Sequence, residues 1–165
     1  MHSRGSVKPP MIPNNHKTWS LLASTSIFSL ATVDEKGNPH CSVLVYEHDK
    51  NLNFFFVTDK NSAKAKNILS HPQVAFAIVG SDLDMTLQGG GEAVEMTSEA
   101  KIKHMLRLME RADQAVDGWA PIARYKQDDL VLFQIKPSWL RLLDISAVKD
   151  NMHELAYEDL TTQVS

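Results

Sequence analysis

From Ile27 onward the chain is written in short β-type runs set between turn residues, and this rhythm restricts the fold more than any other feature. "IFSLATV" (27–33) is followed by "DEKGNP" and then by "HCSVLVY" (40–46). Two β-branched, apolar runs around a glycine-containing turn are the sequence form of a hairpin. "LNFFFV" (52–57) gives a third strand after the polar turn "EHDKN", and "QVAFAIV" (73–79) and "MTLQGGGEAVEM" (85–96) resume the sheet. "DLVLFQI" (129–135) and "WLRLLDI" (139–145) predict two more strands, separated by "KPS". Helices are few. One is expected from about His16 to Ser26 around Trp19, Leu21, Leu22 and Ala23. A second runs from about Asn61 to Ser70, with Ala63, Ala65, Ile68 and Leu69 apolar and Pro72 just beyond its end. The longest follows Thr97 as N-cap, with Glu99 in its first turn and Ile102, Met105, Leu106, Met109 and Ala112 at helical spacing. Six or seven strands with no βαβ rhythm and no repeat favour a closed antiparallel barrel decorated with helices.

With 165 residues, 43% of them hydrophobic, the chain is long enough to bury a core of its own. The proline-rich start, "MHSRGSVKPPMIPNN" (1–15), reads as a flexible arm, residues 16–146 as one domain and 147–165 as a polar tail, mobile at its end. A net charge of −3 offers no global field for a nucleic-acid backbone, so no nucleic-acid partner is expected and any anion site is local. The single cysteine, Cys41, forms no internal disulfide, and nothing near the start has the form of a secretory leader. A cytoplasmic location is the resulting expectation. No apolar run approaches the ~20 residues that cross a bilayer, so no membrane partner is expected.

One local anion site stands out. "FFFVTDKNSAKAKNI" (54–68) turns from a packed strand into hydroxyls, amides and lysines. Thr58 at the strand's end, Ser62 at the helix start and Lys64 in the first turn meet at one rim with the unpaired N–H groups of a helix N-terminus. Such a rim suits a phosphate monoester, which takes several donors at once. The same residues also describe a capped helix with solvated lysines.

The stretch "LATVDEKGNPHCSVLVYEHDKNLNFFFVTDKNSAKAKNILSHPQVAFAI" resembles, element by element, the pyridoxamine 5'-phosphate oxidase-like FMN-binding split barrels. It has their order of a hairpin with a "GxP" turn, an aromatic strand ending in threonine, an "S(R)K"-type helix start and an "hP.va" strand. The resemblance covers about residues 17 to 145. It implies a mainly β fold, an antiparallel six- to seven-stranded split β-barrel of Greek-key type with flanking short α-helices. It also implies a homodimer that binds FMN between its subunits and acts on a small-molecule redox substrate. Thr58, Ser62 and Lys64 match its phosphate positions. Ala63 stands where the oxidases carry an arginine, which Lys66, one turn along, either replaces or does not.

The resemblance further places Ser42, Val43 and Leu44 along the flavin ring and Gln88 at the ring or ribityl chain, with Thr86 as the alternative. On residue character alone, Cys41 is a small buried hydrophobe, and "QGGG" (88–91) marks a bulge, a barrel corner or a close backbone approach. "WLRLLD" matches the oxidases' "RLHD" in part, with a leucine for the histidine. Arg141 then falls at a substrate-phosphate position, and Trp139 either covers a flavin of the second subunit or packs in core or interface. The tyrosine, arginine and serine that grip the vitamin's phosphate have no counterparts in "KIKHMLRLMERADQ", which argues against pyridoxamine 5'-phosphate as substrate. The expected function is an FMN-binding oxidoreductase with unknown catalytic residues. The alternative is a non-catalytic flavin- or haem-binding protein for storage or sensing, and a deazaflavin is a third possible cofactor. Seven scattered histidines, none at i, i+4, indicate no metal site. No G-x-S-x-G elbow, P-loop or dinucleotide fingerprint is present.

Overall fold

The computed structural model describes residues 16–97, 99–115, 126–145 and 157–161. The arm expected at 1–15 and most of the tail expected at 147–165 lie outside them. In chain order the elements are α1 (His16–Ser24), β1 (Ile27–Val33), β2 (Pro39–Val45), β3 (Glu47–His48), β4 (Phe54–Asp59), α2 (Ala63–Ser70), β5 (Gln73–Val79), β6 (Met85–Glu95), α3 (Ala100–Ala115), β7 (Leu130–Asp144) and β8 (Tyr157–Asp159). Seven strands follow one path, β2-β1-β5-β6-β7-β4-β3, every neighbouring pair antiparallel, and β8 adds to β7. This curled, mainly β sheet with three helices is the split barrel that the sequence predicts.

Alternation along the strands divides the molecule. Phe28 and Leu30 of β1, Phe54 and Phe56 of β4, Phe76 and Ile78 of β5 and Leu140 and Leu142 of β7 point inward and form one buried core with Leu21 and Leu22 of α1 and Ile68 of α2. Phe55 and Val57 of β4 point outward. With Val45, Leu130 and Leu132 they are covered by Leu108 and Ala112 of α3. The three consecutive phenylalanines therefore serve two cores on opposite faces of one strand.

Two turns of the same construction precede β2 and β4. Asp34 accepts from the N–H groups of Lys36 and Asn38 and from the Asn38 amide. Asp49 does the same with Asn51 and Asn53. The left-handed residue is Gly37 (φ 84°) in the first turn and Leu52 (φ 59°) in the second. Leucine accepts that unfavourable backbone because its side chain is fully buried in the main core. Leu52 and Asn53, expected in the third strand, thus belong to the turn.

Two further expectations change. The "KPS" break between the last strands is absent, and residues 130–144 form one strand. Pro137 is tolerated there because the register with β6 shifts between Gly90 and Gly91, so the residue without an N–H sits at a bulge. On α3, Thr97 and Glu99 both precede the first helical residue, and the carbonyl of Glu99 receives the N–H of Ile102. The stripe of Ile102, Leu106 and Met109 faces solvent among the described residues, at 68, 57 and 40% exposure. Met105, Leu108 and Ala112 face the second core instead, and charge pairs flank them. The carboxylate of Glu47, buried in β3, receives His104 at 2.5 Å and Arg107 at 2.8 Å. Arg111 donates to the carbonyls of Leu22 and Thr25 at the end of α1, which favours a cation. The tail also contributes: β8 pairs with Arg141–Leu143, and Leu160 is fully buried.

Candidate functional site

β4 carries Thr58 on its inner face at the barrel rim, where the chain leaves the sheet for α2. Ser62 caps that helix, its hydroxyl accepting from the N–H of Ala65 at 3.3 Å. The same hydroxyl lies 3.1 Å from that of Thr58, and Lys64 donates to Thr58 at 3.4 Å. The three residues expected to hold a phosphate therefore form one hydrogen-bonded group. Burial holds the Lys64 ammonium below its ordinary value, and no carboxylate lies within ion-pairing range of it among the described residues. The nearby charge of Asp59 opposes that shift. A partly desolvated cation beside two hydroxyls at a helix N-terminus fits an anionic group with several acceptor oxygens.

The neighbouring lysines differ. Lys60 is paired with Asp129 at 2.9 Å and also reaches the carbonyl of Asp128. Lys66 is exposed and lies on the same helix face as Ala63, three residues on. No hydrogen bond or ion pair ties its side chain to the Thr58–Ser62–Lys64 group among the described residues.

The remaining candidates divide across the sheet. Ser42 and Leu44 face inward opposite Leu30 and Phe28, and Leu44 packs against the main core. They share the inner side with Thr58, on a strand that ends the sheet's path and so has one edge free of ladder pairing. Val43 faces outward and is 53% exposed. The register aligns one row of outward residues, Val43, Ser29, Ala77, Gln88 and Arg141, and beside it a second, Cys41, Ala31, Ala75, Gly90 and Trp139. Ser29, Ala31, Cys41, Ala75, Ala77, Gln88 and Trp139 line a shallow, largely apolar groove of about 310 Å³.

Glycine makes this face flat. A Cβ on Gly90 would lie 2.5 Å from Nε1 of Trp139, so the indole ring lies across the backbone there. A Cβ on Gly89 would instead strike Phe76 and Leu140 in the core. "QGGG" is thus both a bulge and a close approach. Arg141 stacks over Trp139 at 5.8 Å and stands opposite Asp159 of β8. Cys41 is exposed rather than buried, because its strand side faces outward.

The candidates accordingly form two groups. Thr58, Ser62 and Lys64 lie at the inner rim, with Ser42 and Leu44 on that side; Val43, Gln88, Trp139 and Arg141 lie on the open outer face, and Thr86 belongs to the outer side as well. Sequence reasoning missed the polar set of Glu47, His104 and Arg107. Its only signal was the placement of His104, Arg107 and Arg111 along one side of a helix, at i, i+3 and i+7.

The family model for pyridoxamine 5'-phosphate oxidase matches residues 15–144, which contain every candidate residue above. The chain belongs to that family. Among curated relatives, the pyridoxine/pyridoxamine 5'-phosphate oxidase of Pseudomonas paraeruginosa is 30% identical over 83 residues, and that of Azotobacter vinelandii 31% over 83. Each match covers 50% of this chain and 39% of the relative, so the chain matches well under half the length of these oxidases. Solved structures with the same fold include a pyridoxamine 5'-phosphate oxidase-related, FMN-binding protein of Nostoc punctiforme (TM-score 0.63, 15% identity, covering 92% of this chain and 98% of that one). HutZ, the heme storage protein of Vibrio cholerae, has a TM-score of 0.61 at 20% identity, over 74% and 89% of the two chains. An F420 reductase has a TM-score of 0.60 at 22% identity, over 73% and 93%. At these identities the structures establish the fold. Among the described residues no group of histidine, cysteine or acidic side chains has a metal-holding arrangement, and no helix is long and apolar enough to cross a membrane.

Proposed function

We propose that the protein is an FMN-binding oxidoreductase that works as a homodimer, each flavin lying between two copies. One observation carries the reading: Lys64 is partly desolvated, has no carboxylate partner among the described residues, and is joined to the hydroxyls of Thr58 and Ser62. These three residues would hold the phosphate. The groove across Ala31, Ala75, Gln88 and Trp139 offers a flat apolar bed with one amide for a planar ring. It lies on the other face of the sheet. A single ligand touching both groups therefore needs the rim of one copy and the open face of another, which supports a two-fold assembly.

FMN, when bound, supplies the hydride-accepting chemistry. The chain's own part is to anchor the phosphate, fix the ring, and exclude water from one side of it by closing two sheet faces together. Pyridoxamine 5'-phosphate is not the expected substrate. Arg107 and Arg111, the arginines of α3, are turned to Glu47 and to the end of α1, so neither is directed at the groove beside Trp139. Neighbours named for heme suggest haem as a second ligand, yet none of the outward residues in the two rows is a histidine. An absorption spectrum of the purified protein, followed by titration with FMN and riboflavin, tests the proposal. Flavin bands and tighter binding of FMN than riboflavin support it; a haem spectrum, or equal affinity for the two flavins, overturns it.

A further inference from the structure

A second concave site lies apart from the candidate flavin residues. Trp19 of α1, the β3–β4 turn from His48 to Asn51, and Lys103 and Arg107 of α3 enclose a cavity of about 470 Å³. It shares no residue with the groove beside Trp139. The volume lies in the range of small-molecule sites.

Its lining carries more cations than anions: Lys50, Lys103 and Arg107 against Asp49. Lys50 and Lys103 have no carboxylate within ion-pairing range among the described residues, and both are exposed. The one acidic wall residue, Asp49, is already saturated by the N–H groups of Asn51 and Asn53 and by the Asn53 amide. Arg107 is fixed in place. One guanidinium nitrogen is held by Glu47, whose side chain is only 4% exposed, while the Arg107 side chain remains 47% exposed toward the cavity. That carboxylate is in turn held by His104, which is stacked on Phe55 at 3.7 Å. A positioned guanidinium loses less entropy on binding an anion than a free one.

The apolar wall is aromatic. The rings of Trp19 and His48 are 5.6 Å apart at 43°. His48 presents a neutral ring, since burial lowers its pKa. The turn that carries Lys50 is braced by the bonds from Asn51 and Asn53 to Asp49 and by the fully buried side chain of its left-handed Leu52.

We infer that this cavity is a binding site for a small planar aromatic acid, its ring against Trp19 and His48 and its anionic group among Lys50, Lys103 and Arg107. The inference does not depend on the flavin reading. Calorimetric titration of the full-length protein with 2-naphthoate, and with the neutral 2-naphthamide as control, tests it. Saturable sub-millimolar binding of the acid, with the amide at least about tenfold weaker, is expected. Lys50→Glu and Lys103→Glu, both solvent-side changes, are each expected to weaken the acid about tenfold or more without altering the thermal midpoint. Lys64→Ala leaves it unchanged. Absence of saturable binding, equal affinity for acid and amide, or an affinity that falls with Lys64→Ala and not with Lys103→Glu overturns the inference.

Discussion

The rim at the start of α2 and the open outer face of the sheet are built on different principles. At the rim, Thr58, Ser62 and Lys64 lie within seven residues of one another and their contacts are local, a cap, a hydroxyl pair and a short lysine reach. On the open face, Val43, Gln88, Trp139 and Arg141 come from three strands and are brought into line only by register. The rim offers charge and directed donors on a small area. The face offers flat apolar area and one amide. The two groups lie on opposite faces of the sheet, and the proposed ligand, with a phosphate and a large planar ring, draws on both.

The largest effect is expected from adjacent glycines whose side positions fall on opposite faces. Gly89→Val drives carbon atoms into Phe76 and Leu140 and should destabilise the fold by roughly 1–3 kcal/mol or more, measured by urea denaturation. Gly90→Val meets the indole of Trp139 instead, which has room to swing off the open face. Its cost to stability should be clearly smaller while flavin affinity falls. Equal destabilisation by the two would dissolve the distinction between core and open face.

Next in size is Ala77→Arg, which places a charge in the groove. A stable two-fold interface buries more than ~1,200 Å² in total, and an unpaired charge inside it is costly. If the proposed dimer closes on this face, sedimentation should show it become a monomer, with flavin binding reduced and the melting temperature lowered by the loss of the partner. A dimer of undiminished stability would move the interface elsewhere.

Lys64→Ala removes a charge-assisted contact at the rim. FMN should bind tenfold or more weakly, about 1.4 kcal/mol, with riboflavin indifferent and folding nearly unaffected. Equal FMN affinities would return the rim to a capped helix. The smallest effect is on pH. Because burial lowers the pKa of Lys64 in the folded protein, its cation is lost as pH rises toward and before the ordinary 10.5. The FMN-to-riboflavin affinity ratio should therefore decline with rising pH in that alkaline window. A ratio that stays constant up to that value would separate Lys64 from the phosphate.

The rim was legible in the sequence because a strand end, a cap and a first-turn lysine are fixed by local spacing. The hairpin of β1 and β2 was legible for the same reason, through Asp34 and Gly37. The open face was only half legible. "QGGG" announced a close approach, but which ring lay over Gly90 depended on pairing with a strand nearly fifty residues later and on a bulge that turned "KPS" from a break into a continuation. The rotation of α3 was legible only in part. Met105 and Ala112 of its expected stripe pack on the second core with Leu108, while Ile102, Leu106 and Met109 face solvent, and the pairing of His104 and Arg107 with Glu47, remote in sequence, could not be read from the helix alone. β8 escaped notice because three residues, "YED", carry no strand signal without a neighbour to pair with.

The claim that one flavin spans two copies is tested most directly by mixing two defective chains. Lys64→Ala damages the rim and leaves the open face intact; Trp139→Ala does the reverse. Unfolding, mixing in equal amounts and refolding produces hybrids in which one site takes an intact rim from one chain and an intact face from the other. If the two groups serve one ligand across a two-fold interface, the mixture regains wild-type FMN affinity at about a quarter of all sites. If each chain forms its whole site alone, every site keeps one lesion, and mixing restores no tight binding at all.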